Sequence, residues 1–131
     1  MKKILGFAFA FFALFLLSFR AQPQYSIDQV LSALKTGNAN QLSKYFDSRV
    51  DVSLPTKSDN FSKNQAEMIL KDFFASHDVQ SFEVKHKGEM NGSQFCIGSL
   101  KTRNGNFRTK LYMKQKGDQQ VVQEIAFQSE N

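Results

Sequence analysis

His86 is the residue of this 131-residue chain whose type and setting most invite chemistry. It lies in "FEVKHKGEM" (82–90). Strict alternation puts Phe82, Val84, His86 and Met90 on one strand face and Glu83, Lys85, Lys87 and Glu89 on the other. A neutral imidazole on a helix-covered face can act as a general base or as a handle for a ligand. The competing reading is a histidine at the rim of the core, bonded to a backbone carbonyl. It is favoured because no acid shares that face on this alternation. His77 ends a helix, where the dipole favours a cation.

An isomerase-type site needs a carboxylate and an oxyanion donor facing one cavity. Asp51 alternates away from Val50 and Val52, Glu83 and Glu89 point outward, and Glu124 lies opposite Ile125. Tyr45 offers a hydroxyl but no acid pairs with it. No catalytic residue is assigned on this pattern. Cys96, the single cysteine, alternates with Gly98 and Leu100 and reads as a buried, inert thiol. One cysteine forms no intrachain disulfide and no cysteine-based zinc site. Neither a metal nor a cofactor is expected. Lys85, Lys87, Arg108, Lys110 and Lys114 share the other sheet face and could hold an anionic glycan or lipid headgroup. Glu83 and Glu89 dilute that patch, so a solvated face whose lysines discourage aggregation is the plainer reading. "NFS" (60–62) and "NGS" (91–93) match glycosylation sequons, but read more simply as a helix cap and a turn.

These residues must be held by regular elements. Ser26, Asn38 and Ser62 each precede a glutamine by three residues, the spacing of a capping box. They predict helices over about 27–35, 39–46 and 63–77. The first buries Ile27, Val30, Leu31 and Leu34 and closes on Gly37. The second uses Leu42, Tyr45 and Phe46. The third uses Ala66, Ile69, Leu70 and Phe73, with Glu67 and Lys71 at ion-pair spacing. Val50, Val52 and Leu54 alternate in a strand that Pro55 stops. "TKSDN" (56–60) reads as a polar loop, and Phe61 as a hydrophobic staple before the Ser62 cap. From Val79 the period becomes two. Turns at Asn91–Ser93, around Gly105 and around Gly117 divide four strands. Phe107, Thr109, Leu111 and Met113 point inward from the third of them, and Val121, Ile125 and Phe127 share a face of the last.

Residues 1–21 have the layout of a signal peptide: Lys2 and Lys3, an apolar run from Ile4 to Phe19, then Arg20 and Ala21. The run is short for a membrane span of ~20 residues. The expectation is a leader at 1–21, a single domain over 22–131, and a periplasmic or secreted product that is not an integral membrane protein after cleavage. Loss of Lys2, Lys3 and Arg20 lowers the formal charge from +5 to +2, so no nucleic-acid partner is inferred. Without disulfides the core must carry stability, and eight of the 14 phenylalanines lie beyond the leader.

The order α-α-β-α-β-β-β-β predicts an α+β fold, with helices packed on the concave face of a curved antiparallel sheet. Together with "KTGNANQLSKYFD" (35–47), "LPTKSDNFSKNQAEMILKDFF" (54–74), "FCIGSLKTRNGNFR" (95–108), "LYMKQK" (111–116) and "VVQEIAF" (121–127), it resembles the nuclear transport factor 2-like, or cystatin-like, cone. More closely, the chain resembles a family of small exported Bacteroidota proteins known as domain of unknown function 4783. The resemblance implies the fold and export; it implies no activity.

Three functional readings follow. The first is a non-enzymatic binding domain whose cavity, lined by Tyr45, Phe61, Phe73, His86, Thr109 and Gln123, takes a small apolar or amphipathic ligand. The second is a structural or interaction module, a homodimer through the outer sheet face using Phe95, Ile97 and Tyr112. The third is a lyase- or isomerase-like enzyme. An open cavity would favour the first or third, and a filled cone the second.

Overall fold

The computed structural model describes residues 27–130. The leader read at 1–21, the expected Ser26 cap and Asn131 lie outside the described residues. Helix α1 (Ile27–Thr36) buries Ile27, Val30, Leu31, Ala33 and Leu34. Its end is a Schellman turn. The Gly37 N–H bonds to the Leu34 carbonyl (3.1 Å) and the Asn38 N–H to the Ala33 carbonyl (3.0 Å). Gly37 has φ +63°, and a β-carbon there would come within 2.8 Å of Val79. Both facts demand glycine. Asn38 then caps α2 (Ala39–Ser43), accepting from the Gln41 N–H.

Helix α2 is shorter than the spacing predicts. Lys44 and Tyr45 turn back on Gln41 and Leu42, and Phe46 opens strand β1 (Phe46–Leu54). The segment read as a polar loop is strand β2 (Lys57–Ser62), the far side of a hairpin turned by Pro55 and Thr56. It is an edge strand without a fully buried residue, so its sequence carries no apolar alternation.

Helix α3 (Lys63–His77) starts with the complete capping box. Ser62 Oγ accepts from the Gln65 N–H, and the Gln65 side chain accepts from the Ser62 N–H. It stops at Asp78, whose φ of 57° is left-handed. Glu67 does not pair with Lys71 as its spacing predicts. Its Oε1 takes the Asn40 amide (3.0 Å) and the Ser43 hydroxyl (2.9 Å), tying α2 to α3.

Strands β3 (Val79–Met90), β4 (Ser93–Thr102), β5 (Gly105–Lys116) and β6 (Gln119–Ser129) complete a six-stranded sheet in the order β2-β1-β6-β5-β4-β3. All neighbours are antiparallel except β1 and β6, which run parallel because the chain crosses the whole sheet before returning beside β1. The helices cover one face. Phe73 of α3 meets Phe107 and Phe127, both at 5.1 Å between centroids, and Phe74 stands edge-on to Phe127 at 5.9 Å. Leu100, Leu111, Met113, Val122 and Ile125 are fully buried around them.

Irregular register decides which side chains reach this core. A bulge between Val84 and His86 and another between Tyr112 and Met113 break the alternation of β3 and β6. Val122, rather than Val121, therefore joins Ile125 and Phe127 inside.

Ser62→Ala removes the cap of α3 and is expected to destabilise the fold by about 1 kcal/mol. Urea melts of the two proteins should show it as a lower midpoint at unchanged slope.

Candidate functional site

Strict alternation fails at His86. The bulged residue is Lys85. His86 therefore pairs with Ile97 on the outer face, is exposed, and meets the Phe95 ring at 5.6 Å. Lys87 and Glu89 move the other way and pair with the inward positions Cys96 and Gln94. The sequence reading of His86 beside Phe73 and Thr109 is thus corrected, and so is that of Glu89 as an outward acid.

The other expected cavity residues do not line a common space either. Phe73 and Thr109 are buried, and the Thr109 hydroxyl donates to the Phe107 carbonyl at 3.2 Å. Tyr45 and Phe61 are half-buried against the core, and Lys57 Nζ lies 5.7 Å from the Phe61 ring centroid. Gln123 is the bulged residue of β6, and its amide donates to Asp47 at 3.3 Å. Aromatic rings fill the space under α3. His77 belongs to that filling: its Nδ1–H donates to the Phe73 carbonyl (2.8 Å) and its ring lies 4.9 Å from Phe107.

Cys96 is buried, and desolvation pushes its thiol pKa up despite the nearby Lys87 charge. The inert reading is the physical one. Among the described residues no group of three His, Cys, Asp or Glu side chains could hold a metal ion.

Asp47 is a residue that the pattern gave no reason to single out. Its side chain is 14% exposed and accepts from Lys116 Nζ (2.8 Å), the Ser48 N–H (2.7 Å) and Gln123. The Lys116 bond is the main cause holding its carboxyl below the ordinary 3.8; burial opposes it, and Ser48 and Gln123 add to the lowering. All its partners belong to the chain, so Asp47 reads as a brace between β1 and the β5–β6 hairpin. Only its contacts, 69 and 76 residues away, reveal it.

The outer sheet face does bring its expected residues together. Phe95 and Tyr112 are direct cross-strand partners, Ile97 pairs with Lys110, and Lys110 pairs with Ala126. The Tyr112 hydroxyl donates to Ser93 at 3.1 Å, and the Phe95 ring lies over Gly88, where a β-carbon would come within 2.5 Å of it. A groove of about 350 Å3 follows, with Ile97 and Ala126 as floor and Arg108, Lys110 and Gln128 as walls. Lys110 pairs with Glu124 at 3.4 Å. The Arg108 side chain makes no hydrogen bond or ion pair to a described residue. Cations thus stand on β5, while Glu124 stands on β6 and its register partner Asp51 on β1, where Asn60 links it to the cation Arg49.

The model of the family described as "Domain of unknown function (DUF4783)" matches residues 27–128. The structure is similar to a crystal structure of a DUF4783 family protein from Bacteroides uniformis, with 36% identity, 79% of this chain and 96% of that one covered, and a TM-score of 0.76. A DUF4783 family protein from Bacteroides ovatus gives 34% identity, 79% and 94% coverage, and a TM-score of 0.76. An NTF2-like protein of unknown function from Cytophaga hutchinsonii, 9% identical, shares the fold at a TM-score of 0.60 over 84% of this chain and 95% of that one. No curated protein matches.

Two outcomes are expected here. Asp47 contributes stability that is fully present above pH 3.8 and is lost as pH falls through its depressed folded value. Urea melts should show Asp47→Asn less stable than wild type near neutrality, with the gap closing at lower pH. His86→Gln, being an exposed change, should alter stability by no more than about 0.5 kcal/mol.

Proposed function

The chain belongs to the family of proteins with a domain of unknown function (DUF4783), and from that premise we propose that it is an exported, non-enzymatic interaction module that pairs with a second copy through its outer sheet face. The observation carrying this reading is the division of the two faces. The concave face is filled by Phe73, Phe74, Phe107 and Phe127. The outer face presents half-buried Phe95, Ile97, Tyr112 and Ala126 in one patch. Export is supported by the layout of Lys2, Lys3, Ile4–Phe19 and Ala21.

The apolar patch and the self-complementary rows of this face favour a second copy. An isologous pair is related by a two-fold axis, and on a self-pairing face that axis lies in the plane of contact. An axis along the strands between β5 and β6 keeps each row at its own level, so it lays Tyr112 over the partner copy's Glu124 and Lys110 over its Ala126, one row from that acid. It also encloses the apolar patch, the part of an interface that carries most affinity. The small-ligand reading has less support, because His86 turns outward and Phe73 and Thr109 are packed in the core. The enzyme reading lacks an acid paired with a donor in one space.

Light scattering on a sizing column tests the proposal. The chain lacking residues 1–21 should elute at twice the monomer mass. Ile97→Glu should elute at the monomer mass with an unchanged circular dichroism spectrum, and high salt should weaken the wild-type pair. A wild-type monomer at high concentration would refute it, as would a dimer indifferent to Ile97→Glu.

A further inference from the structure

Strand β2 ends the sheet, and an edge strand offers its outward N–H and C=O groups to any extended chain. In a hairpin, residues bonded to the partner strand alternate with residues whose backbone groups point away. The two-residue turn of Pro55 and Thr56 makes Leu54 and Lys57 the first bonded pair. Lys57, Asp59 and Phe61 therefore bond to β1, while Ser58, Asn60 and Ser62 turn their backbone groups outward.

Side chains occupy most of these outward groups. The Asn60 N–H donates to Asp59 Oδ1 at 2.7 Å, and the Asn60 carbonyl accepts from Arg49 Nη2 at 3.1 Å. The same guanidinium donates through Nε to Asn60 Oδ1, and the Asn60 side-chain nitrogen donates to Asp51 at 2.8 Å. The Ser62 N–H donates to Gln65 at 3.4 Å, and the Ser62 carbonyl belongs to the first turn of α3. Ser58 is left between them, and a single residue does not template a strand. The opposite edge is blunted by another device: a bulge at Lys85 interrupts β3 beside a second lysine, Lys87.

We infer that Arg49 and Asp59 seal the β2 edge against strand addition, whether by a second copy of this chain or by another extended peptide. Each seals one backbone group of Asn60 with an ionised partner, and such hydrogen bonds are stronger than the neutral amide bonds that an incoming strand would offer in exchange. The incoming strand must also give up its own freedom of movement. Asp51 on β1 holds Asn60, and Asn60 holds Arg49, so the seal is anchored to the sheet that it protects. It concerns the edge and not the patch of Phe95 and Ile97, so it stands whether or not the chain pairs through its outer face.

Amide hydrogen exchange and light scattering on the chain lacking residues 1–21 test the seal. The Asn60 N–H faces away from β1, so Asp59 is its one source of protection among the described residues. After correction for intrinsic rates it should exchange about tenfold more slowly than the Ser58 N–H, and Asp59→Ala should erase the difference. At millimolar concentration the double variant Arg49→Ala with Asp59→Ala should form species larger than any in the wild type, with the Ser58 and Asn60 amides newly protected in them. Asp59→Asn keeps the acceptor and drops the charge, so it should stay at the wild-type size. Unmoved Leu70 and Ile125 methyl signals certify that each variant is folded. The inference is overturned if Asn60 exchanges as fast as Ser58 in the wild type, or if the double variant grows no larger than the wild type. Association of Asp59→Asn to the extent of the double variant also overturns it, because charge alone would then keep the edge apart.

Discussion

Phe73 lies edge-on to Phe107 and tilted against Phe127, both rings 5.1 Å away, and that contact fixes how α3 crosses the sheet. Aromatic pairs of this geometry add about 0.5–1.5 kcal/mol beyond the area that they bury. Phe74 and His77 extend the cluster along α3. The capping box at Ser62 and the left-handed stop at Asp78 set the length of the helix, so its rings meet β5 and β6 in register. A chain without disulfides depends on such a core.

That packing fills the space under α3. A cone with a helix laid tightly across its concave face has no deep chamber under that helix, and fold likeness does not supply one. Open hollows include the outer-face groove, the far end of the inner face beside α1, and a hollow between α2 and α3. Bulges shape the first two regions. The irregularity at Lys85 sends His86 out to Phe95 and Glu89 in to Gln94. The one in β6 buries Val122 and leaves Gln123 to meet Asp47.

Much of this was legible in the residues because local rules and tertiary packing agree. The Ser62–Gln65 box, the Asn38 cap, the Gly37 stop and the β4–β5 hairpin are short-range events, and each appears where its spacing predicts. Strand β2 was not legible because its first four residues are all exposed and show no period to detect. His86 was misplaced because period two assumes an unbroken ladder, and nothing in "VKHKG" marks Lys85 as the extra residue. Asp47 was silent for another reason: its role rests on partners far along the chain. The outer patch of Phe95, Ile97 and Tyr112 was legible because β4 and β5 pair without a shift.

The central claim is that the working surface is the outer sheet face and not the interior of the cone. Isotope-filtered NOE spectroscopy on an equal mixture of labelled and unlabelled protein tests it directly. The account predicts intermolecular NOEs from the Ile97 and Ala126 methyls and the Phe95 and Tyr112 rings. Intermolecular NOEs confined to other surfaces would contradict it, as would their complete absence at millimolar concentration.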